Sequence, residues 1–145
     1  MGQALKPKQK AINKMSRIKA LNFGIRDQLY PDEINFFKEN PTTTGMASFE
    51  DDKILLNPFS TLLPEEKQSV IMNESWRLYM NKNNIVPKIP ITREQFNYFN
   101  NTPYRGDIDA IKQTITSRFL SGDQSVEVTD EQKKTIRNMF KGMIK

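Results

Sequence analysis

The stretch from Leu63 to Lys82 constrains the fold more than any other part of the chain. Pro64 is favoured at the first position of a helix, and the two acidic residues after it suit the positive end of the helix dipole. The predicted helix has apolar residues around most of its axis: Val70, Ile71, Met72, Trp76, Leu78, Tyr79 and Met80. A helix with apolar side chains on nearly every face is typical of the centre of a domain or of an interface.

The N-terminal part of the chain predicts two further helices and one hairpin. Four apolar residues recur at every third position and predict an amphipathic helix over residues 9–23: Ile12, Met15, Ile18 and Leu21. Pro31 opens a short helix. Met46–Phe49 and Lys53–Leu56 flank an acidic turn, which predicts a β-hairpin near residues 46–56.

The C-terminal part contains three helix starts that are recognisable from their capping residues. Thr92 with Gln95 and Thr129 with Gln132 have capping-box spacing, and Asp107 can cap the helix between them. The last two helices have apolar stripes, which are Ile108, Ile111, Ile115 and Phe119, then Ile136, Met139, Phe140 and Met143. The sequence therefore predicts a mainly α domain with one hairpin and with amphipathic terminal helices at its periphery.

Charge is distributed unevenly along the chain. Residues 1–26 contain seven basic and no acidic residues, and residues 133–145 contain five basic and none acidic, whereas the middle of the chain has all 17 acidic residues. We therefore divide the chain into a basic N-terminal arm (1–26), a helical body with the hairpin (27–128) and a basic C-terminal helix (129–145).

The basic N-terminal arm has two interpretations. Basic side chains on a helix can neutralise DNA phosphates without contacting bases, and the candidates are Lys6, Lys8, Lys10, Lys14, Arg17 and Lys19. The alternative is that this helix docks on the acidic body or on an acidic neighbour. We favour docking, because no aromatic platform for stacking bases stands among these basic residues.

The residue types that are missing exclude several classes of protein. The chain has no cysteine and no histidine, which excludes disulfides, zinc sites that need these ligands and histidine-dependent catalytic triads. No apolar run reaches the roughly 20 residues that a membrane span requires, and we expect neither a membrane span nor a secretory signal. We also predict no metal site and no cofactor, because the acidic run Glu50-Asp51-Asp52 lacks the spacing of a calcium loop and phosphate-binding glycine loops are absent.

Glu74 is the one residue with a plausible catalytic role. A carboxyl beside Trp76 could act as a general acid, as in enzymes that hydrolyse cell walls. The simpler interpretation is an ion pair with Arg77, three residues further along the same helix. We favour the ion pair and predict no catalytic residues, because no second carboxylate stands at a convincing position.

The composition leaves two alternatives, which are that much of the chain is peripheral or that part of its apolar surface is completed by a neighbour, and we consider the second seriously. Apolar residues make up only 37% of the chain, although seven methionines and nine phenylalanines are present. The predicted contacts to another subunit lie on the long helix and the last helix: Met72, Trp76, Tyr79, Met80, Met139, Phe140 and Met143.

Residues 46–132 resemble a segment of short virion-associated proteins of tailed bacteriophages, especially T7-like podoviruses. The matching residues begin with Asn57-Pro58-Phe59-Ser60, Leu62, Pro64, Glu66, Lys67, Val70, Asn73-Glu74 and Arg77. They continue with Ile91-Thr92, Gln95, Thr102, Tyr104, Ile115, Arg118, Leu120-Ser121-Gly122-Asp123, Ser125, Thr129, Glu131 and Gln132. Leu63 departs from the pattern, which has Ser or Thr at the helix cap.

This resemblance implies a structural part of a virion with no catalytic residues to transfer. Such a protein would be internal, portal-associated or tail-associated, linked to DNA retention or ejection, and located in the virion after assembly in the host cytoplasm. Its partners would be other virion proteins, in multiple copies of a symmetric assembly. A DNA-binding accessory protein that uses the basic termini is the alternative, and a wall hydrolase with Glu74 as acid is the third.

Overall fold

The long helix predicted from the sequence is the central element of the fold. The computed structural model describes residues 18–143, with Lys19 represented by its backbone. Within this range the elements are α1 (Pro31–Glu39), β1 (Gly45–Ser48), β2 (Lys53–Leu56), α2 (Pro64–Lys82), α3 (Arg93–Phe99), α4 (Ile108–Leu120) and α5 (Asp130–Met139). The predicted fold class, mainly α with one antiparallel hairpin, is confirmed. None of the described helices is long and apolar enough to cross a membrane.

The helices begin where their capping residues predict. At α3 the Thr92 hydroxyl accepts a hydrogen bond from the Gln95 amide at 3.1 Å, and the Gln95 side chain accepts one from the Thr92 amide at 3.1 Å. Thr129 and Gln132 repeat this arrangement at α5. At α2 the cap residue Leu63 has no side-chain oxygen, so only the Glu66 half of the box forms, in which the Glu66 carboxylate accepts from the Leu63 amide at 3.2 Å.

The hairpin packs closely on one side of α2. Gly45 pairs with Leu56 at the open end, and Ser48 pairs with Lys53 beside the turn. A Cβ atom at Gly45 would lie 2.5 Å from Val70 Cγ1, so the absence of a side chain permits this approach. A short N-terminal segment pairs with β2. The Ile54 amide donates to the Gly24 carbonyl at 2.9 Å, and the Arg26 amide donates to the Ile54 carbonyl at 3.0 Å.

The main core lies on the opposite side of α2 and is formed with α4, α5 and the segments between them. Trp76 is at its centre, 1% exposed, and packs edge-to-face on Phe140 with ring centroids 5.3 Å apart. A smaller cluster, formed by Ala47, Ile54 and Leu78, holds the hairpin. Apolar residues surround α2 because elements of the same chain pack on both sides of it.

A reciprocal pair of buried glutamines joins α3 to α5. The Gln95 side-chain amide donates to the Gln132 side-chain oxygen at 2.8 Å, and Gln132 donates back to Gln95 at 2.9 Å. Each amide makes one more bond to backbone, from Gln95 to the Glu127 carbonyl and from Gln132 to the Pro90 carbonyl. With the two capping bonds, every donor and acceptor of both side chains is satisfied.

The predictions for the two ends of the chain require correction. The helix predicted over 9–23 lies mostly outside the described residues, and its described end is a 3-10 turn at Lys19–Leu21 followed by extended backbone. The C-terminal helix is not peripheral, because Ile136 and Phe140 belong to the main core and Gln132 is buried. Residues 129–143 are therefore part of the same packed unit as the body.

Candidate protein-binding surface

Most of the predicted subunit contacts are internal. Met72, Trp76, Met80 and Phe140 are at most 3% exposed and belong to the core of this chain, so their assignment to an interface is wrong. The apolar excess on α2 that suggested a partner is covered within the chain by the hairpin, by α4 and by Phe140, which directly follows α5. Of the other three, Tyr79 and Met143 are partly buried against the core, and Met139 is 40% exposed.

Five of the six basic residues proposed to contact DNA lie outside the described part of the chain. Lys6, Lys8, Lys10, Lys14 and Arg17 lie outside the described residues, and Lys19 is described by its backbone in the 3-10 turn. At the other end of the chain Lys134, Arg137 and Lys141 are exposed. The Arg137 guanidinium lies over the Phe119 ring, 5.4 Å from its centroid.

Glu74 is 4% exposed and is buried beside two arginines, Arg77 and Arg118. Its carboxylate is 3.7 Å from Arg77 Nη1, as the spacing on the helix predicts. Burial raises the pKa of Glu74, while the charges of Arg77 and Arg118 act in the opposite direction. Arg77 also donates to the Tyr104 hydroxyl at 2.9 Å and stacks on the ring of Phe49. No group of the described residues, 18–143, donates a hydrogen bond to Oε2 of Glu74.

The other acidic motifs have structural roles. Asp51, in the hairpin turn, accepts from Arg26 Nε at 2.9 Å, and the same guanidinium binds Glu33 at 2.7 Å. This arginine therefore ties the N-terminal segment to both the hairpin and α1. Asp107 caps α4, as predicted, by accepting from the Ala110 amide at 3.0 Å. Within residues 18–143 no group of acidic residues is arranged to hold a metal ion.

The loop after the hairpin displays apolar side chains that the sequence did not identify as a site. Phe59 is 56% exposed and Leu63 is 63% exposed, the second of these at the cap of α2. Buried Asn57 fixes this loop, since its side chain donates to the Thr43 carbonyl at 2.8 Å and accepts from the Phe59 amide at 2.8 Å. The loop is thus held in place by the same residue that leaves Phe59 at the surface.

A groove of about 450 Å³ lies next to this loop. Ile25, which is 40% exposed, and Pro58 are among its lining residues, and Lys67 of α2 borders it. We call Ile25, Phe59, Leu63 and this groove the loop face. The signal that could have located it is the Asn57-Pro58 pair, because both residue types favour turns and connecting loops lie at the surface.

Comparison with protein-family models, with curated proteins and with solved structures finds no match to this chain. The loop face is therefore interpreted from its own chemistry.

Proposed function

We propose that the chain is a non-catalytic structural component of a tailed-phage virion and binds other virion proteins through the loop face. The observation that carries this proposal is an exposed phenylalanine held on a loop that buried Asn57 fixes. Isolated exposed apolar residues are ordinary, but Ile25 lines the groove, and Phe59 and Leu63 each directly follow a residue that lines it, Pro58 and Leu62.

Binding through this face is energetically favourable because the loop is already ordered. Burial of one large apolar side chain contributes about 1.5–3 kcal/mol. Phe59 and Leu63 are only 56% and 63% exposed, so a partner that covers both gains little more than this amount in total. The anchoring by Asn57 reduces the cost of ordering the loop on binding.

The location in a virion is supported by the resemblance described above. The loop Asn57-Pro58-Phe59-Ser60 begins the segment that is similar to virion-associated proteins of tailed phages. We place the chain in the virion, in multiple copies beside other virion proteins, after assembly in the host cytoplasm.

The surroundings of Glu74 favour assembly over catalysis. A general acid must reach the atom that it protonates. The Glu74 carboxyl is 4% exposed, and Arg77 and Arg118 act on it from within the protein. Purified protein should leave cell-wall peptidoglycan intact, and wall degradation that Glu74→Gln abolishes in a folded variant would replace this proposal with the hydrolase.

Incorporation into particles tests the proposed function directly. Gradient-purified virions should contain the wild-type chain at a fixed ratio to the major capsid protein. Phe59→Ser and Leu63→Ser should reduce that ratio at least several-fold while circular dichroism of the free chain stays unchanged. Phe96→Ser is the matched control, because Phe96 is also exposed, at 38%, but lies on α3.

Two results would contradict the proposal. Absence of the wild-type chain from purified virions would refute the location. Equal incorporation of Phe59→Ser, Leu63→Ser and Phe96→Ser would refute the assignment to the loop face.

A further inference from the structure

A second groove, of about 480 Å³, lies beyond the C-terminal end of α2. It is formed by the segment after α2 and by α5, and its lining residues are Val86, Lys88, Thr135, Asn138 and Met139. We call these residues the end groove. Its two apolar side chains are accessible, since Val86 is 36% exposed and Met139 is 40% exposed. The end groove can therefore receive an apolar side chain from outside the domain.

Both sides of the end groove are held in place by contacts within the chain. On one side, the Ile85 amide donates to the Met80 carbonyl of α2 at 2.8 Å, and the Gln113 side chain of α4 donates to the Ile85 carbonyl at 2.9 Å. On the other side, α5 is anchored by Phe140, which packs on Trp76. A side chain that enters the groove therefore has little ordering cost to offset.

The rim of the end groove is basic. Lys88 lines it, and Lys134 lies one helical turn before Asn138 on α5. Both lysines are exposed, and neither forms an ion pair within residues 18–143. No acidic residue follows Glu131 in the chain. Because interfaces place apolar contacts at the centre and charges at the rim, this groove suits an apolar side chain flanked by carboxylates.

The loop face of the same chain offers such a side chain. Leu63 is 63% exposed. Glu65 and Glu66 follow it on the first turn of α2, and both are exposed. Lys67 comes next but borders the groove of the loop face. The chain thus displays a large apolar side chain beside two carboxylates, which is the chemistry that the end groove requires.

The two surfaces lie at opposite ends of the longest helix. Leu63 caps the N-terminus of α2, whereas the end groove follows the C-terminus at Lys82. A helix of 19 residues is roughly 28 Å long. One chain cannot bring its own loop face to its own end groove across this distance, so contact between them requires a second copy. Such contact repeats head to tail, and it produces a ring where the rotation closes and a filament where it does not.

We infer that the protein self-associates head to tail, with Leu63 of one copy in the end groove of the next copy. The two glutamates after Leu63 then lie beside Lys88 and Lys134. The inference rests on the proposed function in one respect, since both use the loop face, and it names the partner of that face as a second copy of the chain. The apolar area is small, so a single contact is weak and is strengthened by repetition in an assembly.

Paramagnetic relaxation between two copies tests this contact with the full chain. Since the wild-type chain has no cysteine, Gln68→Cys provides a single site for a nitroxide label at an exposed position near the N-terminus of α2. In a mixture with ¹⁵N-labelled wild-type chain, the label should broaden the amide signals of Val86, Lys88 and Asn138. Reduction of the nitroxide should restore these signals, and added salt should weaken the broadening because charges contribute to the contact.

Leu63→Ser tests the direction of the contact. In the spin-labelled copy it should reduce the broadening at least several-fold, because that copy supplies the loop face. In the ¹⁵N-labelled copy it should not reduce the broadening, because that copy supplies the end groove. Met139→Ser should give the reverse pattern. Phe96→Ser is the matched control in either copy, since Phe96 is exposed on α3 and lies on neither surface.

Each remaining outcome overturns the inference. Absence of broadening, or an equal loss from Leu63→Ser in either copy, contradicts head-to-tail contact. Broadening of the Phe59 and Leu63 amides in place of the groove amides indicates that two loop faces bind each other. Loss of the broadening on addition of duplex DNA, with shifts of the Lys88 and Lys134 amides, assigns the end groove to nucleic acid. Incorporation of Phe59→Ser into virions is measured separately, so failure of this inference is distinct from failure of the proposed function.

Discussion

Replacement of Gln132 by Met tests whether the buried glutamine pair holds α5 on the domain. Methionine has a similar volume and is flexible, so the substitution removes hydrogen bonds with little change in packing. In the wild-type chain the Gln132 side chain is 1% exposed and bonds to Gln95, to the Pro90 carbonyl at 2.6 Å and to the Thr129 amide at 3.0 Å. The variant leaves the last two groups without their partner.

The expected loss follows from the number of groups left without a partner. Each such group costs about 1–3 kcal/mol when it is buried, and the lower end applies to groups that water can reach. Gln95 retains its bonds to the Thr92 amide and to the Glu127 carbonyl, so it loses only the reciprocal bonds. We therefore expect Gln132→Met to lower the free energy of unfolding by about 2–4 kcal/mol.

A double-mutant cycle in urea separates the pair from its surroundings. Gln95→Met should cost a similar amount, for the same reason. The double variant should be less destabilised than the sum of the two by about 1–2 kcal/mol, because the reciprocal bonds are lost in each single variant. Gln68→Met is the control, since Gln68 is exposed on α2 and its replacement should change stability by less than about 0.5 kcal/mol.

The reasoning fails if the two substitutions are additive within about 0.5 kcal/mol. It also fails if Gln132→Met costs no more than the Gln68→Met control. Either result would mean that the two side chains do not bond to each other in solution.

Three further predictions concern other contacts. Gly45→Ala should lower the free energy of unfolding by roughly 1–3 kcal/mol, because the added Cβ would lie 2.5 Å from a Val70 methyl group. Gly142→Ala is the control in thermal unfolding and should be neutral, because its Cβ would meet no atom of the described residues within 4 Å. Phe140→Ala should lower it by about 3–5 kcal/mol in urea, since the ring is buried in the core, and a fully stable variant would contradict this packing. Arg26 holds the pKa of Glu33 below its usual range. The ionised form of Glu33 therefore stabilises the fold at pH values above the pKa of the unfolded chain, and this contribution is lost as the pH falls. Arg26→Met removes the contribution, so its stability should fall less steeply on acidification. An unchanged acid profile in that variant would show that the ion pair is absent in solution.

Local signals predicted the helix starts and the hairpin correctly. Thr92, Asp107 and Thr129 cap their helices by accepting from the amide three positions further along, so the necessary information is contiguous in the sequence. The same holds for the turn between β1 and β2. Arg26 was not recognised, because its partners at Glu33 and Asp51 meet only after the hairpin has folded beside α1.

Distinguishing the core from an interface needed the tertiary structure. Trp76 is equally apolar whether a second protein or Phe140 covers it, and the contact with Phe140 joins distant parts of the chain. The loop face was missed because an apolar residue is exposed there instead of buried. Nothing in the sequence distinguishes Phe59 from a core phenylalanine, and its exposure depends on how Asn57 bonds to Thr43 across the hairpin.

The contact between Trp76 and Phe140 also gives the protein an internal optical reporter. Trp76 is the sole tryptophan of the chain and has its indole ring in the dry core against the residue that directly follows α5. Its emission should be blue-shifted while α5 is docked and should move to longer wavelength when α5 separates from α2, even if α2 itself stays helical. Intrinsic fluorescence therefore reports whether the end of α5 is packed on α2, whereas far-ultraviolet circular dichroism reports the total helix content.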